Sequence, residues 1–328
     1  MDKHLAQRPW TLVLAAGLLG VFGCGDGAKH DQELLGELER LAFVPSGQVR
    51  KGVFLREEFT ARAAAPLLVD RFEVTRGDLE RAGLGTNEVQ GEQQEPVGSE
   101  TWPASLGYGE AVSFAGARGM RLPTPGEWLY IASGSLGHRY PWGYNSQESV
   151  ANTLDLGMER PLAVGTFEAG RGPFGTYDQL GNVWEWTSGW VPGIGDPIGV
   201  GAGVDINAGG SSDGPYLSAM GGSYTARQRP LFVEGGIADV PLSFFAKTLT
   251  PEHRAQDVGA RCVADAEAYL ASIASALPKD KHSQKRLSAL GQRWFATGES
   301  DLIALLEKLV TEHGTGTGLD ALLSGARP

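Results

Sequence analysis

The sequence predicts a domain of short elements and frequent turns, followed by a helical C-terminal extension. Glycine fills 47 of the 328 positions, about twice its average share, so turns are frequent. From Ala42 to about Cys262 short apolar runs are punctuated by Gly and Pro, the texture of short elements joined by loops. Beyond Cys262 the chain becomes rich in Ala and Leu at helical spacing.

Taken in order, the first 24 residues read as an export signal. Lys3, His4 and Arg8 form a positive start, Leu12 to Phe22 an apolar stretch of signal-peptide length, and Gly23 places a small residue before Cys24. Asp26, Lys29 and His30 follow at once, which argues against a permanent membrane span. The arrangement resembles the lipobox of bacterial lipoproteins. That resemblance implies cleavage between Gly23 and Cys24, acylation of Cys24, and attachment to a membrane through lipid. Gly25 rather than Asp after the cysteine points, by the same resemblance, to the outer membrane. The alternative is an ordinary signal peptide that happens to hold a cysteine. The expected segments are thus 1–23 signal peptide, 24–41 anchor and linker, 42–264 main domain and 265–328 helical extension.

In the linker, Leu34, Leu35, Leu38 and Leu41 recur at helical spacing, which suits a short helix packed on the domain. Glu110 to Arg118 reads as a helix packed through Val112, Phe114 and Ala115. Thr124 is placed to cap a second helix, with Pro125 at a favoured first position and Glu127 complementing the helix N-terminus. Trp128, Tyr130 and Ile131 then turn inward, and Trp142, Trp184 and Trp186 supply core and rim packing. In the extension, helical runs are expected near Ala264 to Leu277, Ser283 to Phe295 and Asp301 to His313. Pro278 and Gly298 separate them, and Gly314 to Gly318 reads as a flexible break before the last few residues.

Composition narrows the function classes. With 41% hydrophobic and 20% charged residues the chain can bury a sizeable core. A net charge of -11, with scattered Arg and Lys, disfavours nucleic acid as a partner. Two cysteines, Cys24 and Cys262, are too few for a disulfide scaffold or a cysteine zinc site.

The central block carries an ordered series of motifs. It holds Phe43-Val44-Pro45-Ser46-Gly47, Val69-Asp70-Arg71-Phe72-Glu73-Val74-Thr75, Glu110-Ala111-Val112-Ser113-Phe114 and Arg121-Leu122-Pro123-Thr124-Pro125-Gly126-Glu127-Trp128. Tyr140-Pro141-Trp142-Gly143, Ala151-Asn152, Gly181-Asn182-Val183-Trp184-Glu185-Trp186-Thr187, Gly221-Gly222-Ser223-Tyr224 and Gly259-Ala260-Arg261 follow. The series resembles the formylglycine-generating enzyme, or sulfatase-modifying factor, family over roughly residues 42–264. The resemblance implies an irregular α+β fold related to C-type lectins.

Asp178 to Glu185 alternates oxygen-bearing side chains with residues whose carbonyls can face the same way, a set suited to calcium. The resemblance assigns calcium ligation to Asp178, Gly181, Val183 and Glu185. A second family calcium site is matched only by Asn152 and the Thr153 carbonyl. The alternative for this segment is a hydrogen-bonded turn in which Glu185 satisfies buried backbone donors.

Members of the family that make formylglycine carry two cysteines, three and eight residues beyond the Ser of the Gly-Gly-Ser motif, which bind copper. Ala226 and Leu231 stand there in this chain, so neither a thiolate for copper nor thiol redox chemistry is on offer. No copper is expected, and Cys262 reads as a small buried residue near a strand end. Ser223 and Trp184 match positions near the family active site, but no Gly-x-Ser-x-Gly pattern or nearby His supports a serine nucleophile. The histidines lie far apart, which leaves the related iron-dependent sulfoxide synthases unsupported. Gly199 to Gly203 and Asp205 to Asp213 read as surface loops. The expected function is a binding or structural module of the envelope, with an envelope protein or glycan as ligand. The alternative is a divergent oxidase or protein-modifying enzyme using residues near Ser223 and Arg227. Recognition is assigned to the loops at about Pro192 to Tyr216 and Arg227 to Pro241, which offer Tyr216 and Phe232 as aromatic anchors; the alternatives are that these are passive surface loops, or that the helical tail after Ala264 is the partner site.

Overall fold

The computed structural model describes residues 27–52, 58–84, 99–189, 194–197, 216–227, 231–233, 236–238 and 245–327. Cys24 and its signal segment lie outside the described residues, as does most of both candidate recognition loops.

Strands β1 (Leu41–Val44), β4 (Leu67–Asp70) and β12 (Val263–Asp265) form an antiparallel sheet with β4 in the centre. Leu41 pairs with Asp70, and Val263 with Val69, so the start and end of the family-like region are locked together. All four residues of β4 are buried, as expected of a strand covered on both faces. Strands β2 (Gly47–Gly52) and β3 (Glu58–Ala63) form a hairpin between β1 and β4. A second sheet has the order β11 (Val258–Gly259), β5 (Trp184–Trp186), β7 (Leu217–Met220), β10 (Phe245–Leu249), β6 (Ile194–Pro197). Its β11–β5 pair is parallel. Leu231–Val233 (β8) and Gly236–Ala238 (β9) make a separate hairpin.

The helices follow local chemistry. Helix α1 (Gly27–Glu39) buries Leu34, Leu35 and Leu38, and α2 (Arg76–Arg81) is capped by Thr75 and Asp78. Helix α3 (Tyr108–Ala117) buries Ala111, Phe114 and Ala115 but leaves Val112 exposed at 45%. That corrects the expected packing face: Ala111, Phe114 and Ala115 share one i, i+3, i+4 stripe, and Val112 does not belong to it. Helix α4 (Pro125–Ser133) opens with the expected cap. Glu127 N–H donates to Thr124 Oγ1 at 3.1 Å while Thr124 N–H donates to Glu127 Oε2 at 2.9 Å, a reciprocal capping box.

The C-terminal helices are part of the same core. Helix α5 (Ala266–Ile273) follows β12 directly, and α6 runs from Lys281 to His313 with one non-helical residue, Glu299. The two expected runs therefore stack end to end across Gly298. A Cβ at Gly298 would collide with the ring of Phe43, so only glycine lets the helix lie this close to β1. Trp294 donates its indole N–H to the Leu41 carbonyl at 3.0 Å. Beyond Gly314, where a flexible break and a short remainder were expected, helix α7 (Gly318–Ala326) forms and buries Leu319, Leu322 and Leu323. At its start Thr317 N–H donates to Asp320 Oδ2 at 2.9 Å, and its apolar face covers α6. One continuous core joins Leu35 and Leu38 of α1, Trp186 of the second sheet, and Trp294 and Leu306 of the extension.

Candidate functional site

The turn before β5 carries the predicted metal ligands. Asp178 (φ +57°) and Asn182 (φ +58°) both adopt left-handed backbone, which non-glycine residues enter only where surrounding contacts require it. Gly181 (φ +88°) lies so close to the Asn152 carbonyl that a Cβ would clash. Asn182 N–H donates to that same carbonyl at 2.7 Å. Asn152, predicted for a separate second site, is thereby brought against the first. Its Nδ2 donates to Asn182 Oδ1 and to the Arg160 carbonyl, each at 3.0 Å, while its buried Oδ1 has no partner.

Two residues that sequence reasoning did not select complete the cluster. β4 delivers Glu73 just beyond its end, and β11 delivers Arg261. Glu73 is fully buried and accepts from Val183 N–H at 3.0 Å and Asn182 Nδ2 at 2.6 Å. Arg261, also fully buried, grips both oxygens of Glu185 at 2.6 Å and 3.0 Å and donates to the carbonyls of Asp70 and Tyr177. Trp128 donates its indole N–H to Glu185 at 2.6 Å. Asp178, partly exposed, accepts from Gly165 N–H at 2.5 Å. Both residues stood within quoted motifs, as Glu73 in Val69 to Thr75 and Arg261 after Gly259-Ala260. Nothing local marks them as partners.

Three acids thus face one guanidinium. Burial, then the charges of Asp178 and Glu185, push Glu73 well above the usual carboxylate range. Burial, with the Glu185 charge adding to it, pushes Asp178 up to about 6. The chemistry fits a bound cation in two respects: the negative charge that Arg261 leaves uncompensated, and the orphaned Asn152 Oδ1. Glu185 fits less well, because Arg261 and Trp128 already hold its oxygens. Among the described residues no group of three His, Cys, Asp or Glu side chains is arranged to hold a metal ion by itself.

A second polar group marks the predicted active-site position. Ser223 Oγ donates to Asp257 Oδ2 at 3.0 Å, and Thr225 Oγ1 donates to the same oxygen at 3.0 Å. Lys247 Nζ lies 3.6 Å from Asp257 and 5.9 Å from the centre of a Trp184 ring. Ala226 sits beside this group, half-buried, with its N–H on the Ser223 carbonyl. Leu231 falls in β8. Cys262 is buried directly before β12, and burial raises its thiol well above the ordinary value. Of the predicted aromatic anchors, Tyr216 is 47% exposed, and the side chain of Phe232 lies outside the described residues.

Short strands joined by long loops, a locked N- and C-terminal sheet, and this buried turn define a formylglycine-generating-enzyme-like fold of the C-type lectin-like class. The sulfatase-modifying factor enzyme 1-like domain matches residues 28–266, and the chain belongs to that family. It is 29% identical over 174 residues to the formylglycine-generating enzyme of Mus musculus, covering 49% of this chain and 43% of that enzyme. Hercynine oxygenase of Mycobacterium tuberculosis is 40% identical over 90 residues, covering 25% of this chain and 20% of that protein. The chain spans less than half the length of both relatives. Among solved structures, Treponema denticola variable protein 1 superposes with a TM-score of 0.55 at 18% identity, covering 69% of this chain and 94% of that one.

Proposed function

We propose that the chain is an exported lipoprotein, held at the outer membrane through an acylated Cys24, whose family domain acts as a binding or structural module for an envelope protein or glycan. The observation that carries this reading is the replacement of both copper-binding cysteines by Ala226 and Leu231. Neither side chain supplies a thiolate or a redox step. The buried Cys262, with its raised thiol, is no substitute. Ser223 is engaged by Asp257, whose charge is shared with Thr225 and Lys247, an arrangement that lacks the separate general base an activated serine needs. The test is to incubate the purified protein, with copper, with a sulfatase-type cysteine peptide. No aldehyde should form, and measurable aldehyde from the wild type would overturn the reading.

The second reading, a divergent oxidase or protein-modifying enzyme, draws support from the same polar group, since buried Ser223 and Asp257 beside Lys247 and Trp184 are reactive residue types. It predicts a product from the wild type that is lost in Asp257→Asn.

Calcium belongs to the proposal as a structural ion. Asp178 and the carbonyls of Gly181 and Val183 would hold it, with Asn152 nearby and Glu185 shared with Arg261. It would supply the positive charge that the buried acids lack. Lipid attachment is checked by mass spectrometry of the mature N-terminus, which should carry a lipid-modified Cys24. A free Cys24 thiol with cleavage elsewhere would sink it.

A further inference from the structure

Three arginines meet where β4 leaves the first sheet. Arg71 N–H donates to the Arg40 carbonyl at 2.9 Å. The Arg71 guanidinium lies 5.3 Å from the centre of the Phe72 ring and 5.5 Å from that of Tyr177, and these two rings stack at 5.1 Å. Arg40 approaches the Phe72 ring at 6.0 Å. From α6, Arg293 donates through Nη2 to the carbonyls of Glu39 and Leu41, at 2.8 Å and 3.0 Å, the residues on either side of Arg40.

The neighbouring acids are committed elsewhere. Asp78 answers Arg40 at 2.8 Å, Arg286 holds Glu39 at 2.7 Å, and Glu168 accepts from the Tyr177 hydroxyl at 2.6 Å while facing Arg171 at 3.5 Å. Among the described residues Arg71 and Arg293 reach no carboxylate at ion-pair distance; the Arg71 guanidinium donates to the Gly175 carbonyl, at 3.4 Å. In a chain of net charge -11, two half-buried cations thus meet without an ion-pair partner, Glu39 acting on Arg293 only at longer range. Burial, and then the charge of Arg71, push Arg293 down to about 10.

We propose that Arg71 and Arg293, beside the stacked rings of Phe72 and Tyr177, bind a dianionic oxyanion of the phosphate-monoester class. Two cations without an ion-pair partner suit the charge of such a group, roughly −1.5 to −2 at neutral pH. Guanidinium forks suit phosphate oxygens better than ammonium groups do. The carbonyls that hold Arg293 and the rings that support Arg71 fix both side chains before binding, which reduces the ordering cost. The ligand phosphate can come from a soluble ester or from a lipid headgroup, and the chemistry at the two arginines is the same.

The experiment uses the full chain, with inorganic phosphate titrated against chloride at matched ionic strength and thermal unfolding as readout. At about 100 times its Kd, phosphate should raise Tm by roughly 5 °C in a protein of this size. Arg71→Gln and Arg293→Gln should each abolish the shift; Arg71→Gln should leave the phosphate-free Tm unchanged or higher, because it relieves repulsion, whereas Arg293→Gln also removes the donor to the Glu39 and Leu41 carbonyls and should lower it. Arg71→Lys keeps the charge and serves as a milder variant should Gln disturb the fold. Capture of wild type, but not of the variants, by vesicles of phosphatidic acid in phosphatidylcholine would locate the phosphate on a lipid. A phosphate-dependent shift without capture would assign it to a soluble ester. No shift and no capture, or the same shift in the variants, overturns the proposal.

Discussion

Replacing Arg261 with Met is the sharpest probe of the buried cluster. The substitution keeps volume and removes a guanidinium that makes three contacts to Glu185, at 2.6 Å, 3.0 Å and 3.2 Å, and one each to the carbonyls of Asp70 and Tyr177, at 2.8 Å and 2.6 Å. Leaving a buried carboxylate without its partner costs about 3–5 kcal/mol. Two buried carbonyls losing their donor add about 1–3 kcal/mol each. The sum, roughly 5–10 kcal/mol, is comparable with the whole stability of an ordinary domain, about 5–15 kcal/mol. Urea unfolding of Arg261→Met should therefore show a midpoint far below wild type, or no folded baseline. Adding Glu185→Gln should restore part of the loss, because the amide removes the orphaned charge while its oxygen still accepts from the Trp128 indole, now at 2.6 Å. A loss below about 1 kcal/mol in the single variant, or a double variant equal to the sum of the singles, would refute the assignment of Arg261 as the internal counter-charge.

Calcium should raise the melting temperature at pH 7 and a chelator should lower it, with the response lost in Asp178→Ala; an indifferent wild type argues for the hydrogen-bonded turn alone. Without calcium, Asp178 sets a pH dependence. Its carboxyl is raised to about 6 in the folded protein from about 3.9 unfolded, so its contribution is full below about pH 4 and is lost as pH rises through about 6. The stability advantage of Asp178→Asn should accordingly grow across that window in chemical unfolding, and a flat difference would contradict it. Trp294→Ala should cost about 3–5 kcal/mol, since the indole is buried, meets Phe43 at 6.4 Å and bonds the Leu41 carbonyl. If it unfolds the C-terminal helices without moving the main transition, the shared core is wrong.

What could be read from the sequence was whatever neighbours in the chain decide. Thr124, Pro125 and Glu127 specify their capping box within four positions, and the Leu and Trp spacing from Leu287 to Leu309 marks the buried stripe of α6. The ordered motifs pointed to the family, and the same resemblance set Ala226 and Leu231 against the two cysteines expected there. Val112 shows where this reasoning stops, because a short helix does not state which of two apolar sides meets the core. Helix α7 was hidden for a related reason: Gly314, Gly316 and Gly318 read as a break, while burial of Leu319, Leu322 and Leu323 against α6 outweighs the glycine cost.

Only the tertiary structure brought the charges together. Glu185 and Arg261 stand 76 positions apart, and Val183 and Glu73 stand 110 apart. The parallel β11–β5 register and the antiparallel β4–β12 register set those meetings, and a shift of one residue in either would turn the side chains to the opposite face. The pair Arg71 and Arg293, without an ion-pair partner, has the same origin. Each is an ordinary surface-type residue in the sequence, and their repulsion arises because Arg40 sits at one junction where a strand end, a helix and a turn all arrive.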